Sequence, residues 1–180
     1  MLARMGETVF RTRDAARIWN IWNSNTLNMT LSRYLLRKNL FRVSKGLYSL
    51  KPLDEIDPFI LGIKAVGDFA YITGETVLFN EGIINQPPRE ITMVSRQSKR
   101  FNVAGKQYRS RQLKDEFLFN DAGIVNIGGA YVATRARAIA DTLYFNPKKY
   151  FDGPIDWKSV RDIATKVGYN TAISKQYANS

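Results

Sequence analysis

The run LSRYLLRKNLFRVSKGLYSL, residues 31–50, changes period partway along. Leu31, Tyr34 and Leu35, with Leu27 before them, recur at helical spacing. From Phe41 onward the apolar residues are Phe41, Val43, Leu47 and the pair Tyr48/Leu50, set around Ser44-Lys45-Gly46. That is the pattern of two short strands about a tight turn, with Gly46 free to take a positive φ where the chain reverses. A helix that passes directly into a hairpin is the strongest constraint on how this end of the chain folds.

The residues before it extend the pattern. Thr12 is expected to cap a short helix over RDAARIWNIW, with Asp14 in its first turn, where negative charge is favoured. Ala15, Ile18, Trp19 and Trp22 form its apolar face. Asn23 to Thr26 then break the pattern, and a second helix is expected to start between Asn28 and Thr30. Helix, turn, longer helix and basic hairpin is the order of a winged helix-turn-helix. In that arrangement Met29 to Asn39 enters a DNA major groove. Thr30, Ser32, Arg33 and Arg37 then lie nearest base edges, while Lys38, Arg42 and Lys45 meet backbone phosphate. Arg11 and Arg13 are expected to grip phosphate beside the first helix. Trp19, Trp22 and Tyr34 are assigned to the core, and Gly46 and Tyr48 to the frame of the hairpin.

Charge follows the same division. The chain carries 27 Lys and Arg against 16 Asp and Glu, net +11, with a pI near 9.9. Residues 1–50 hold nine basic and two acidic residues; residues 51–90 hold three and seven. Residues 91–115 return to seven basic against one acidic, and 116–180 hold eight and six. Two positive segments therefore flank a negative one, and the basic balance favours a polyanionic partner. The acid- and proline-rich KPLDEIDP marks a boundary. Two domains are expected, 1–50 and 51–180.

The second segment reads as a strand at EITMVSRQ, then a basic hairpin, FNV and QYRSRQL, turning at Gly105-Lys106. It carries Arg96, Lys99 and Arg100 before the turn, and Lys106, Arg109 and Arg111 after it. Nucleic acid, an acidic protein and plain solvent all fit these charges. Around it, Pro58 to Val66 reads as a helix, Tyr71-Ile72 as a short buried element, and Glu75 to Phe79 as a helix capped by Thr73. IVNI and YVAT read as strands about Gly128-Gly129. Thr134 is expected to cap RARAIADTLYF, in which Asp141 follows Arg137 by four residues and can pair with it. Asp156 is expected to cap WKSVRDIATKVGY, with Gly168 as its stop, and TAISKQYANS to be a last turn or a frayed end. The fold class is thus α+β: an N-terminal winged helix-turn-helix, then a mixed α/β domain with short strands and a basic hairpin.

Composition narrows the chemistry. There is no cysteine and no histidine, so disulfides, thiolate metal sites, cysteine nucleophiles and imidazole bases are excluded. No catalytic set, metal site or cofactor motif is found; Gly128-Gly129 lacks a Walker lysine and any GxGxxG pattern. The chain is expected to be no enzyme and to need no cofactor. No apolar run approaches the roughly 20 residues that span a bilayer, and no signal-peptide core opens the sequence. A cytoplasmic protein with no membrane partner is expected.

Three segments together resemble the AbiEi family, the antitoxins of type IV toxin–antitoxin systems in bacterial abortive infection of phage. FRTRDAARIW with LSRYLLRKNLFRVSKGLYSL resembles the family's N-terminal winged helix. FAYITGETVLFNEGII and YVATRARAIADTLYF resemble two elements of its C-terminal domain, Arg137 and Asp141 falling on the matching Arg and Asp, and the strand ITMVS fits between them. The likeness spans roughly residues 8–170. Val77, where a small alanine is usual, and Ala136, before Arg137, depart from the family pattern. The resemblance implies an autorepressor that binds inverted repeats of double-stranded DNA in its own promoter. It also implies a C-terminal domain that counters a nucleotidyltransferase-like toxin without needing a stable complex with it. Monomers that pair on the repeats are expected. Two other readings remain open from the residues: a winged-helix regulator with a sensing domain, and an RNA-binding protein using 96–111.

Overall fold

The computed structural model describes residues 8–169. They divide into two compact units: residues up to 65 with 103–105, and residues 66–102 with those from 106 onward. The division falls after residue 65 rather than at 50, so the segment 51–65 is counted with the first unit. The class is α+β, with helices and strands mixed along the chain.

The first unit opens with strand β1, Val9–Arg11, which the sequence did not reveal. Helices α1, Thr12–Trp19, and α2, Ser24–Leu36, follow. Strands β2, Phe41–Ser44, and β3, Leu47–Ser49, form the expected hairpin, with Gly46 at φ +75°. The three strands make an antiparallel sheet in the order β1-β3-β2. A short 3-10 turn, Leu53–Glu55, and helix α3, Pro58–Val66, complete this part of the chain.

Several boundaries differ from expectation. Thr12 is not the cap of α1 but its first residue: Arg11 is extended at the cap position, its N–H donates to Asp14 Oδ2 at 2.8 Å, and the Thr12 hydroxyl donates to the Gly46 carbonyl. The second helix begins at Ser24, not between 28 and 30, because Asn23 accepts from the Thr26 N–H at 3.1 Å and thereby caps it. It ends at Leu36 rather than Asn39, where Lys38 takes a left-handed φ of +55°.

The core of this unit joins one face of each helix to the sheet: Phe10, Ala15, Leu27, Leu31, Leu40 and Tyr48. Trp19 packs against it and stacks on Tyr34, with ring centroids 5.3 Å apart. Tyr34, also assigned to the core, is exposed, and Trp22 does not join the core either. Trp22 is 73% exposed, and its indole N–H donates to Asn20.

The second unit is a six-stranded mixed sheet with helices. Its strands are β4 (Ala70–Ile72), β5 (Ile91–Ser95), β6 (Lys99–Val103), β7 (Lys106–Gln112), β8 (Ile124–Ile127) and β9 (Ala130–Ala133). Their order is β6-β7-β5-β4-β9-β8. Antiparallel pairs β4/β5 and β8/β9 alternate with parallel pairs β5/β7 and β4/β9. The expected strands are present, and the turn of the basic hairpin is Ala104-Gly105, one residue early.

Helix α4, Glu75–Asn80, is preceded by Gly74 at φ +68°. Thr73 therefore does not cap it; its hydroxyl is spent on Asp141 instead. The one-turn helix α5, Asp115–Leu118, was not expected. Helices α6, Arg135–Phe145, and α7, Trp157–Val167, pack on each other. Thr134 and Asp156 cap them as expected, and Gly168 stops α7 at φ +96°. The tail from residue 171 lies outside the described residues.

Candidate nucleic-acid interface

In the first unit the buried face of α2 is set by Leu27 and Leu31, with Leu35 half-buried. Helical geometry then turns Asn25, Asn28, Met29, Ser32 and Arg33 outward, and all are exposed. Arg37 and Lys38 lie at the end of α2, and Arg42 and Lys45 on the hairpin; these four are exposed too. Among the described residues, none of Arg33, Arg37, Lys38, Arg42 and Lys45 makes an ion pair or a side-chain hydrogen bond. Thr30 is half-buried, and its hydroxyl donates to the Thr26 carbonyl at 2.9 Å.

The two arginines at the start of α1 separate. Arg13 is exposed, its Nε 4.0 Å from Asp14. Arg11 is half-buried and donates through Nη2 to the Lys64 carbonyl at 2.9 Å. That bond ties β1 to α3.

The first three cations of the second basic segment are answered from within. Arg96 makes a two-point contact with Asp115 at 3.0 and 3.1 Å, lies 3.7 Å from Asp68, and sits over the Phe119 ring. The hydrogen bond and charge of Asp115 raise its pKa further. Arg100 pairs with Glu90 at 2.9 Å. Lys99 donates to the Val66 carbonyl and lies over the Phe101 ring. Tyr108 is fully buried and stacks on Phe101, which leaves its ring no face for a base. Lys106 is exposed beside the turn.

Arg109 and Arg111 behave differently. Both are half-buried on β7 and line a pocket with Thr73, Thr92 and Phe145. Burial lowers the Arg111 pKa, and the charge of Arg109 adds to that. The sequence carried a signal for this grouping, since Tyr108-Arg-Ser-Arg alternates and must put both arginines on one face of a strand.

Arg137 and Asp141 are joined at the centre of the second unit. Arg137 spends all five of its N–H donors: Nε on Asp141, Nη1 on the Asn120 and Ala122 carbonyls, Nη2 on the Tyr71 hydroxyl and the Phe117 carbonyl. Asp141 also accepts from the hydroxyls of Tyr71, Thr73 and Tyr169 at 2.8 to 3.0 Å. Burial works against the Arg137 charge, but Asp141, Tyr71 and Tyr169 together outweigh it, so its pKa is raised. Burial first and the Asp141 charge second push both phenols, Tyr71 and Tyr169, well above the usual tyrosine range. With every donor and acceptor met, this cluster is a structural lock.

Among the described residues, no group of three Asp, Glu, His or Cys side chains is placed to hold a metal ion. None of the helices described is long and apolar enough to cross a membrane. No protein-family model matches the chain, and no curated protein matches it either.

Proposed function

We propose that the first unit is a winged helix-turn-helix that binds duplex DNA, with α2 in the major groove and the β2–β3 hairpin as its wing. The observation that carries this reading is the uncompensated charge. Five cations on α2 and the hairpin stand exposed with no acid beside them, whereas Arg96 and Arg100 in the other basic segment are each neutralised by a carboxylate. Unpaired surface cations release condensed counterions when they meet phosphate, which is where sequence-independent affinity comes from. The outward face of α2 adds Asn25, Asn28, Ser32 and Arg33, side chains whose donors and acceptors match base edges. A strand before α1, two helices and a hairpin on one small sheet support the same reading.

The wider role we propose is that of a type IV antitoxin that represses its own promoter. It binds inverted repeats there as paired monomers and counters a nucleotidyltransferase-like toxin. The support is the resemblance to the AbiEi family. Two of its segments, FAYITGETVLFNEGII and YVATRARAIADTLYF, supply Tyr71, Thr73, Arg137 and Asp141, which meet in one hydrogen-bonded cluster. RNA binding through 96–111 is the weaker reading, because Tyr108 is buried and Arg96, Lys99 and Arg100 are already engaged.

The test is a salt titration of binding to the chain's own upstream DNA, with scrambled duplex and folded RNA alongside. Selective binding to the upstream duplex with a steep salt slope is expected. Equal or tighter binding to RNA at matched salt would overturn the reading.

A further inference from the structure

Two half-buried cations on β7 form no ion pair among the described residues. Side chains alternate along a strand, so Tyr108 and Ser110 are buried on one face and Arg109 and Arg111 share the other, roughly 6.6 Å apart. Neither makes a hydrogen bond or an ion pair among the described residues. Arg111 lies over the Phe145 ring, 4.9 Å from its centroid, and Glu75 touches it only at long range. Β7 is an inner strand, between β6 and β5. Two like charges drawn partly out of water at such a place are costly unless a counter-charge arrives.

We propose that this pocket binds the phosphate monoester of a small molecule, with Arg109 and Arg111 as the groups that hold the phosphate.

The other polar side chains of the pocket decide what kind of ligand fits. The Thr73 hydroxyl donates to Asp141, that of Thr92 to the Thr73 carbonyl, and that of Thr142 to the Ala138 carbonyl. Asp141 already accepts from four donors. The polar hydrogens left free on the lining side chains are those of the two guanidiniums, so the ligand must bring acceptors and negative charge. A monoester dianion offers three terminal oxygens and matches two positive charges, and two guanidinium forks can share it. A single carboxylate offers two oxygens and one charge.

A small molecule fits better than a polynucleotide backbone. The pocket is a small recess, partly open to solvent, that admits a compact anionic group rather than a long chain. Val94, opposite Arg111 in the β5–β7 register, and Phe145 give the lining apolar surface, and Glu75 is also among the lining residues. That carboxylate repels a continuous polyanion, yet accepts from a hydroxyl or amine on the body of a small phosphorylated compound.

The experiment uses the full chain and ribose 5-phosphate as probe. Calorimetric titration and thermal melting are compared with sodium chloride at matched ionic strength, for the native chain and for Arg109→Gln, Arg111→Gln and Lys148→Gln. The last removes a charge from an exposed position that does not line the pocket. Saturable binding to the native chain is expected, with a rise in melting temperature that chloride does not reproduce. Each arginine variant should bind about tenfold more weakly or worse, and Lys148→Gln should bind as the native chain does. Because Arg109 forms no ion pair and no hydrogen bond among the described residues, Arg109→Gln should melt no lower than the native chain in the absence of probe. Absence of saturable binding to the native chain would overturn the proposal without any variant. So would equal stabilisation by chloride, or binding that survives in both arginine variants. Displacement of the probe by duplex DNA, with DNA affinity lost in the arginine variants, would assign the pocket to a polynucleotide and overturn it as well.

Discussion

Arg137 and Asp141 face each other one turn apart on α6, Nε to Oδ1 at 2.9 Å, with 0% and 1% of their side chains exposed. A charge pair this deep is stable only while both members are present. Asp141→Ala leaves a guanidinium buried beside three hydroxyls that have lost their acceptor. We expect it to cost about 3–5 kcal/mol in urea unfolding. Arg137→Met combined with Asp141→Leu should cost clearly less than the sum of the single changes, because neither partner is then stranded. A cost for Asp141→Ala near that of an ordinary surface change would mean the pair does not hold the second unit together.

The phenols of Tyr71 and Tyr169 set an alkaline limit. Both are raised above the ordinary value of 10.0, by burial first and by Asp141 second. In the unfolded chain they ionise near pH 10, while in the folded chain they keep their protons. The unfolded state then binds fewer protons, so stability falls as pH rises. The contribution is complete below pH 10 and is lost above it, at about 1.4 kcal/mol per pH unit for each phenol. Tyr169→Phe should lower stability at neutral pH and flatten the decline above pH 10 by roughly one phenol's share. Urea unfolding at stepped alkaline pH measures both; an unchanged slope would remove Tyr169 from the account.

Gly123 packs against the same lock from outside. It sits at φ +74°, and a Cβ there would stand 2.9 Å from the Arg137 Cβ and 3.0 Å from Thr134 Oγ1. Gly123→Ala combines a left-handed backbone with overpacking, and we expect a loss of about 2–4 kcal/mol. Gly105→Ala, equally left-handed but in open space, should cost about 1 kcal/mol. Thermal melts of the two variants separate crowding from backbone strain, and equal losses would show that crowding contributes nothing.

Trp19 and Trp22 look alike in the sequence and differ in the fold. Trp19 stacks on Tyr34 against the core, while Trp22 is 73% exposed. Trp19→Ala should cost about 2 kcal/mol or more, and Trp22→Ala less than about 0.5 kcal/mol. Chemical unfolding followed by circular dichroism reads both, and similar costs would contradict the placement of Trp22.

What the sequence disclosed and what it withheld divide along range. The Thr134 and Asp156 caps, the Gly168 stop, the strands about Gly128-Gly129 and the Arg137–Asp141 spacing are local signals, and each is found in the fold. The start of α2 was misplaced because Asn-Ser-Asn-Thr serves equally as a turn and as a cap, and only the Asn23 bond to Thr26 decides. Strand β1 has three residues, too few for an alternation to register. Arg11 counted as a DNA contact because its acceptor, the Lys64 carbonyl, lies 53 residues away. The pairing of Arg96 and Arg100 was hidden for a like reason, since Asp115 and Glu90 come from other elements. The unpaired cations of α2 and the hairpin, by contrast, were legible as charge without acid nearby in sequence.

Three arginine and lysine changes in the first unit should give three different phenotypes. Arg33 lies on the outward face of α2, so Arg33→Ala should cost about 1–3 kcal/mol on the cognate site and relax preference at one base pair. Lys45 stands at the tip of the hairpin, so Lys45→Ala should weaken cognate and random duplex alike and reduce the salt slope by about 1. Arg11 is bonded to the Lys64 carbonyl, so Arg11→Ala should lower the melting temperature and leave the salt slope of DNA binding unchanged. Fluorescence anisotropy across a salt series, on cognate and scrambled duplexes, measures all three. Equal losses on both duplexes for Arg33→Ala would remove α2 from the major groove. A reduced slope for Arg11→Ala would return that side chain to the phosphate backbone. The three results together separate a side chain that reads sequence from one that supplies charge and one that holds β1 to α3.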